Sequence, residues 1–414
     1  MTEQLDISVT GRSPYQFSRR KFLATTGAAA LSFSVIKPKL VGGAEANTKI
    51  NIGLIGCGGR GTWILDYFKK HGGYNIAACA DYFADKTAAT GDKHGIPENM
   101  RFPGLYGYRK MLEKVDAVAI VSPPFFHPMQ AADAVAAGKH VYTAKPIAVD
   151  VPGCQSIGAS GQKATEKKLA FLVDFQTRSH PAYKEAVKRV HAGSIGKIVC
   201  GEATYQCPTY FEGMDAAYKK NAGQPEARVR AWAVDKVLSG DVITEQNIHS
   251  LDVAAWILDA APIKAYGTGG RARPFTGDCW DHFAAIFYYP NDVILSFSSK
   301  QVGKAWDDIQ CRMYGTEGTI DTHYGGPVVV NCDDKYNGGT TGSIYADGVV
   351  NNVVAFYNSI TQGDFANSTV APSVRSNLTT ILGRTACYQN RLVTWDEMMK
   401  LNEKYEFPLD ALKS

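Results

Sequence analysis

Between Lys49 and Asp81 the chain reads strand, glycine loop, helix, strand, acid, and few folds accommodate that order. Lys49 to Ile55 (KINIGLI) has the β-branched and leucine content of a buried strand. Gly56-Cys57-Gly58-Gly59-Arg60-Gly61 follows at once, then a helical pattern with Trp63, Ile64, Tyr67 and Phe68 on roughly one face. A second strand, Asn75 to Ala80, runs into Asp81, twenty residues after Gly61. Each part has a physical task in a dinucleotide site. Gly56 permits the tight turn, Gly58 lets backbone approach a pyrophosphate, and Gly61 lets the helix lie close to the strand. Gly59 and Arg60 complete the loop and open the helix, whose free N–H groups and partial positive charge face the phosphates. Asp81 is placed to accept from both ribose hydroxyls of NAD, and its charge disfavours the extra phosphate of NADP. The plainer alternative is a glycine turn of another α/β fold, with Asp81 as a helix cap.

The alternation continues. A short helix is expected over Leu105–Leu112, a buried strand over Ala117–Val121, a helix over His127–Ala137 closed by Gly138, and a strand over His140–Thr143. Alternating strands and helices imply a parallel, doubly wound sheet, with ligands beyond the carboxyl ends of its strands. Ser122, Pro123, Lys145 and Pro146 fall at such ends.

The runs GCGGRG…D, VSPPFFH and GKHVYTAKP resemble the Gfo/Idh/MocA oxidoreductases over most of residues 49–300. That family shows a Thr/Ser-Pro-x-x-x-His segment, here Ser122 to His127, and then a Gly-Lys-His-Val-x-x-Glu-Lys-Pro segment, here Gly138 to Pro146. The resemblance implies that His127 belongs to the cofactor site and that Lys145 approaches the nicotinamide and the reacting hydroxyl. Ala144 stands where the family has glutamate, so a close lysine–carboxylate pair is expected to be missing. The family's Asp-x-x-x-His-x-x-Asp helix is matched by Glu245, His249 and Asp252, with Glu245 replacing aspartate. Spacings of four and three put these on one face of a helix read over Thr244–Leu258, which suits a histidine oriented by a carboxylate near a substrate hydroxyl. The bland readings are a hydrogen-bonded core histidine and a salt-bridging Asp252.

The second half reads as strands at 197–205, 263–268, 282–289, 293–299 and 309–315, with a hairpin signal at Tyr289-Pro290-Asn291-Asp292 and helices over Pro181–Ala192, Ser376–Arg384 and Trp395–Leu401. The fold class is therefore α/β: a Rossmann doubly wound parallel sheet (47–175), then an α+β substrate domain (176–414) with an open, mainly antiparallel sheet. Its C-terminal helices have the option of packing back on the first domain. Gln176 and Arg178 at the domain junction are candidates to meet sugar hydroxyls or the nicotinamide amide, and Trp280 beside Asp281 and His282 to line a sugar site, against a polar hinge and a core tryptophan. Tyr205–Tyr210 and Arg228–Trp232 mix aromatic and polar groups as sugar sites do, and equally suit surface loops. Glu245, His249 and His282 offer thin support for zinc, and no metal is expected.

Residues 1–46 read as an export signal. Ser18-Arg19-Arg20-Lys21-Phe22-Leu23 is a twin-arginine pattern, Ala24–Ile36 is mildly apolar, and Ala44-Glu45-Ala46 offers a small-residue cleavage site. The apolar run is too short for a membrane span, and no cysteine follows it to carry a lipid anchor. A folded export route implies a periplasmic protein carrying its cofactor. Net charge is +4, of which residues 1–46 contribute three, so the remainder is nearly neutral. That excludes a nucleic-acid footprint, which needs clustered Lys and Arg. Nine cysteines, an odd number with no Cys-x-x-Cys, argue against a disulfide framework or a zinc ribbon.

The expectation is an oxidoreductase acting on a CH–OH group of a sugar, glycoside or polyol with tightly held NAD, working as a homo-oligomeric dimer or tetramer. The alternatives are an NAD-dependent glycoside hydrolase or lyase working through a 3-keto intermediate, and a sugar-binding protein without turnover.

Overall fold

The computed structural model describes residues 49–413, except 274–276 and 305. The twin-arginine and cleavage-site reading lies outside the described residues. Among those described, no helix is long and apolar enough to cross a membrane.

Six strands form the first sheet: β1 (Ile50–Ile55), β2 (Tyr74–Asp81), β3 (Arg101–Pro103), β4 (Ala117–Ile120), β5 (His140–Ala144) and β6 (Phe171–Asp174). Their order is β3-β2-β1-β4-β5-β6 and every pairing is parallel. The order reverses between β1 and β4, which opens a crevice at their carboxyl ends. All four residues of β4 and of β6 are buried, as a sheet covered on both faces requires.

The second sheet has nine strands: β7 (Ile198–Cys207), β8 (Lys264–Gly270), β9 (His282–Tyr288), β10 (Ile294–Gln301), β11 (Asp308–Gly315), β12 (Thr319–His323), β13 (Pro327–Asn331), β14 (Tyr336–Thr340) and β15 (Val393–Thr394). The order is β14-β13-β12-β11-β7-β10-β9-β8-β15, and only β7–β10 is parallel. The Tyr289–Asp292 signal does join the antiparallel pair β9–β10, with Asn291 and Asp292 both at positive φ. Helices cover one face. On the other, Tyr266, Ile286, Ile294 and Tyr314 stand exposed, while Phe283, Ala285 and Phe287 point into the core.

Sequence periodicity misses the helix Ile344–Gln362, whose apolar residues face the first sheet. Val349, Val353 and Phe356 share a core cluster with Ile52, Leu54 and Tyr142, and Tyr74 donates its hydroxyl to the carbonyl of Val353 at 3.0 Å. The helix Val370–Gln389 packs on the helix Val151–Glu166 and on β8 at once. Asn377 seals that contact, accepting from the Ile147 N–H at 3.0 Å and donating to the Ala148 carbonyl at 3.1 Å. The two sheets are thus riveted by elements from the last sixth of the chain.

The helix read over Thr244–Leu258 is two helices, Val242–Glu245 and Ile248–Leu258. The N–H groups of Gln246 and Asn247 both turn back to the carbonyl of Val242, at 3.0 Å each, and end the first turn. Gln246 is held by the side-chain amide of Gln301 on β10. This tertiary contact overrides a sequence that by pattern alone continues as helix.

Candidate active site

The glycine loop is built as its spacing requires. Gly56 has φ +99°, and a Cβ there would lie 2.4 Å from the Ser122 backbone nitrogen. A Cβ on Gly61 would lie 2.0 Å from the Gly56 carbonyl oxygen. Gly58 and Gly59 instead face open space, with nothing within 4 Å of a built Cβ. Two glycines therefore serve the fold, and two leave room for a ligand. The helix Gly59–His71 has no acid in its first turn, and Gly59, Arg60 and Gly61 of that turn line the same space, where its N-terminal N–H groups favour an anion.

That space is a cavity of about 490 Å³, lined by Gly56, Gly58, Gly59, Arg60, Gly61, Asp81, Ser122 and Pro123 among others. Asp81 accepts from the N–H of Cys57 at 2.7 Å and of Phe83 at 2.9 Å, which fixes its carboxylate at the rim. Burial pushes its pKa up, and the two N–H groups oppose that. Open glycine positions, a helix N-terminus and a fixed carboxylate in one cavity fit a dinucleotide.

His127 does not line this cavity. Its ring is buried, with Nδ1 2.9 Å from the Pro146 carbonyl and Nε2 2.7 Å from the Ser122 carbonyl. Burial depresses its pKa to about 4, although both carbonyls favour the charged form. His127 thus braces the loops after β4 and β5 from behind, where the sequence reading put it against the cofactor.

Lys145 follows β5 and is joined to Pro146 by a cis peptide. Its ammonium donates to the Glu245 carbonyl and lies 3.5 Å from Glu245 Oε1. The expected absence of a carboxylate partner is corrected here. Ala144 supplies none, but Glu245 reaches across from the second domain. Because the helix breaks after Glu245, that side chain turns to Lys145 and does not orient His249, contrary to the single-helix reading. Burial pulls the Lys145 pKa down and the Glu245 charge raises it again.

His249 opens the second helix. Its ring is buried between Tyr205, 6.5 Å away centroid to centroid, and Tyr324, at 5.1 Å. Nδ1 is buried without a hydrogen-bond partner among the described residues. Burial first, then the charges of Lys145 and Arg60, hold its pKa well below 6.5, so the ring is neutral at pH 7. Arg60 lines the dinucleotide cavity, donates to Asp174 at 2.8 Å, and acts electrostatically on both Lys145 and His249. It links the glycine loop to the lysine–histidine cluster.

The remaining candidates separate. Asp252 is fully buried and paired with Arg178, Oδ1 to Nε at 2.9 Å and Oδ2 to Nε at 3.0 Å. Arg178 also lies over the Trp256 ring at 5.2 Å, so the pair is a cross-brace inside the second domain. Gln176 donates to Asp174 at 3.2 Å and packs against Gly348, with its Oε1 buried and unpartnered. Trp280 stacks on Tyr388 at 4.0 Å, which is the core-tryptophan reading. His282 bonds its neighbour Asp281 at 2.8 Å. Among the described residues no three His, Cys, Asp or Glu side chains are grouped to hold a metal ion.

Two aromatic stretches of the sequence take places that spacing does not predict. Tyr205, from the Tyr205–Tyr210 stretch, is the wall behind His249. Phe211, Met214, Val229, Arg230 and Trp232, with Leu412, close the dinucleotide cavity from the second half of the chain. The aromatic and polar mixture over Arg228–Trp232 suits a sugar surface or a surface loop by sequence; the structure puts Val229, Arg230 and Trp232 in the cavity that holds the glycine loop.

The fold and this cavity are those of a two-domain protein with a dinucleotide-binding Rossmann unit. Residues 50–175 match the model of the oxidoreductase family with an NAD-binding Rossmann fold (GFO/IDH/MocA), and residues 183–321 match the GFO/IDH/MocA C-terminal domain. The two cover well over half of the chain, and it belongs to the GFO/IDH/MocA family. It is 27% identical over 209 residues to scyllo-inositol 2-dehydrogenase (NAD(+)) of Bacillus subtilis (strain 168), covering 50% of this chain and 54% of that protein. It is also 27% identical over 213 residues to a glycosyl hydrolase family 109 protein of Saccharopolyspora erythraea, covering 46% of each. The chain thus spans about half the length of these two curated relatives. Among solved structures, scyllo-inositol dehydrogenase from Lactobacillus casei with bound NAD(H) and scyllo-inositol superposes with a TM-score of 0.67 at 22% identity, covering 84% of this chain and all of that one.

Proposed function

We propose that the protein oxidises a secondary CH–OH group of an inositol-like polyol or a sugar, with NAD retained through the reaction cycle. The observation that carries this reading is the convergence of Lys145, Glu245 and His249, from two domains, next to Arg60 at the edge of the cavity. When bound, NAD supplies the hydride acceptor. The Lys145 ammonium, kept charged by Glu245, polarises the substrate oxygen. Neutral His249 has a free ring nitrogen to take the hydroxyl proton as the carbonyl forms. Tyr205 and Tyr324 exclude water from the ring. The similarity to an inositol dehydrogenase supports the polyol reading. The similarity to a family 109 hydrolase keeps a glycoside substrate with a 3-keto intermediate as the second reading.

The export reading of residues 1–46 belongs to the same proposal, since a periplasmic enzyme has no free NAD pool and must regenerate its cofactor in place. The exposed apolar face of the second sheet supports pairing with a second copy.

The test is the near-ultraviolet absorbance of reduced nicotinamide in the purified protein, before and after scyllo-inositol or an aryl glycoside is added. Persisting reduced nicotinamide with the polyol supports the dehydrogenase. Aglycone release without net reduction supports the second reading. No signal and no product with either overturns both.

A further inference from the structure

The outer wall of the dinucleotide cavity comes from a region remote in sequence from the Rossmann domain. After β7 the chain leaves the second sheet, first for the short helices Glu212–Asn221 and Pro225–Arg230, and rejoins it only at β8. Phe211, Met214, Val229, Arg230 and Trp232 from this excursion line the same cavity as Asp81, together with Leu412 near the chain's end.

Specific contacts fasten it there. Arg230 forks onto Asp85, Nη2 to Oδ1 at 2.9 Å and Nη1 to Oδ2 at 3.3 Å, and its guanidinium lies 3.8 Å over the Phe83 ring. Tyr82 donates its hydroxyl to Glu226 at 2.6 Å and accepts from the N–H of Lys413 at 3.2 Å. The Leu105 N–H donates to the Lys413 carbonyl at 3.1 Å. Beneath these latches Leu105, Phe126, Val229, Leu238, Phe407 and Leu412 form one apolar cluster shared by both domains and the C-terminal segment. The anchor points Tyr82 and Phe83 directly follow Asp81, so the fastened end is the ribose end.

We propose that Phe211–Trp232 and the C-terminal stretch 405–413 form a strap whose inner face is the adenosine subsite. A bound dinucleotide leaves only when this strap lifts. Apolar walls from Met214, Val229 and Trp232 suit a purine face, and Asp81 meets the ribose beside it. The glycine loop and the helix N-terminus at Gly59 would hold the pyrophosphate, beyond the strap. The ionic latches are exposed and individually weak, so the apolar cluster carries most of the closure and the latches set how often it opens. The inference rests on the cavity being the NAD site and supplies the means by which the cofactor is retained.

The experiment measures release of bound NAD from the full-length holoprotein, by exchange against isotopically labelled NAD, in wild type, in the double variant Arg230→Ala with Glu226→Ala, and in Arg230→Lys. The strap predicts slow exchange in wild type, about tenfold faster exchange in the double variant, and partial recovery with lysine. It also predicts release from wild type that quickens with salt as the latches are screened. In competition, ADP-ribose displaces labelled NAD, whereas nicotinamide mononucleotide at equal concentration does not. Equal exchange rates in wild type and a folded double variant, or exchange insensitive to salt if that variant does not fold, overturn the strap. Absence of any NAD binding by wild type overturns the cofactor reading itself, which is a different result.

Discussion

The two halves of the site are made of different material. The phosphate and ribose part of the dinucleotide half is built mainly from backbone: glycine positions, a helix N-terminus and a carboxylate fastened by N–H groups, all within thirty-odd residues of chain. The lysine–histidine half is built from side chains that meet across one hundred residues of sequence. Backbone-made sites repeat wherever the local turn repeats, so they survive as a motif. Side-chain sites depend on which helix ends where, and a two-residue break relocates a carboxylate from one partner to another.

That contrast predicts separable failures. Lys145→Met should lower kcat by about 10³-fold while calorimetry shows unchanged NAD affinity; full turnover in this variant would remove Lys145 from the chemistry. Asp252→Ala should act on stability and not on the substrate. It strands a mostly buried guanidinium, so unfolding should be easier by about 3 kcal/mol, while KM of the folded fraction stays put. A raised KM at unchanged stability would return Asp252 to the substrate site.

Gly58→Ala is the mirror of Lys145→Met. The added methyl meets no protein atom, so the melting temperature should hold, but NAD should bind about tenfold or more weakly as one or two backbone contacts to phosphate are lost. Gly61→Ala, in contrast, should fail to fold well, because its methyl collides with the Gly56 carbonyl. If both variants lose NAD and stability together, the division of the glycines between fold and ligand is wrong.

The smallest effect concerns pH. Glu245→Gln removes the charge beside Lys145 and keeps the main-chain carbonyl. With burial unopposed, Lys145 loses its proton at lower pH, so the alkaline limb of the kcat/KM profile should move down by about 1–2 pH units. The acid limb, set by His249, should lie below the 6.5 of an ordinary imidazole in wild type, because burial and nearby positive charge favour the neutral ring. An acid limb above 6.5 would exclude His249 as the base.

What the sequence revealed follows the same division. The parallel sheet, the glycine loop and Asp81 were legible because β-branched runs, fixed glycine spacing and a terminal acid are local signals. Five strands of the mixed second sheet, β7 to β11, were legible, but not β12 to β15 nor the pairing of β7 with β10. The helix Ile344–Gln362 was missed, because its apolar face is interrupted by polar residues such as Asn351 and Asn352; Asn352 donates to buried Asp174 at 2.6 Å, a partner visible only in three dimensions. Glu245 was found as a residue and given the wrong partner, since nothing local announces the break at Gln246. His127 and Asp252 were found as polar groups in meaningful positions, yet their contacts make them a brace and a buried ion pair. The strap lay in a stretch whose aromatics were noticed but whose destination depends on the whole fold.

The most direct test of the account is a single-turnover measurement on the purified holoprotein, mixing scyllo-inositol and following reduced nicotinamide absorbance in wild type, Lys145→Met and His249→Asn side by side. The account predicts a rapid rise of about one equivalent per NAD-loaded site in wild type and little or none in either variant, with equal NAD content in all three. Equal rises in wild type and both variants would contradict it.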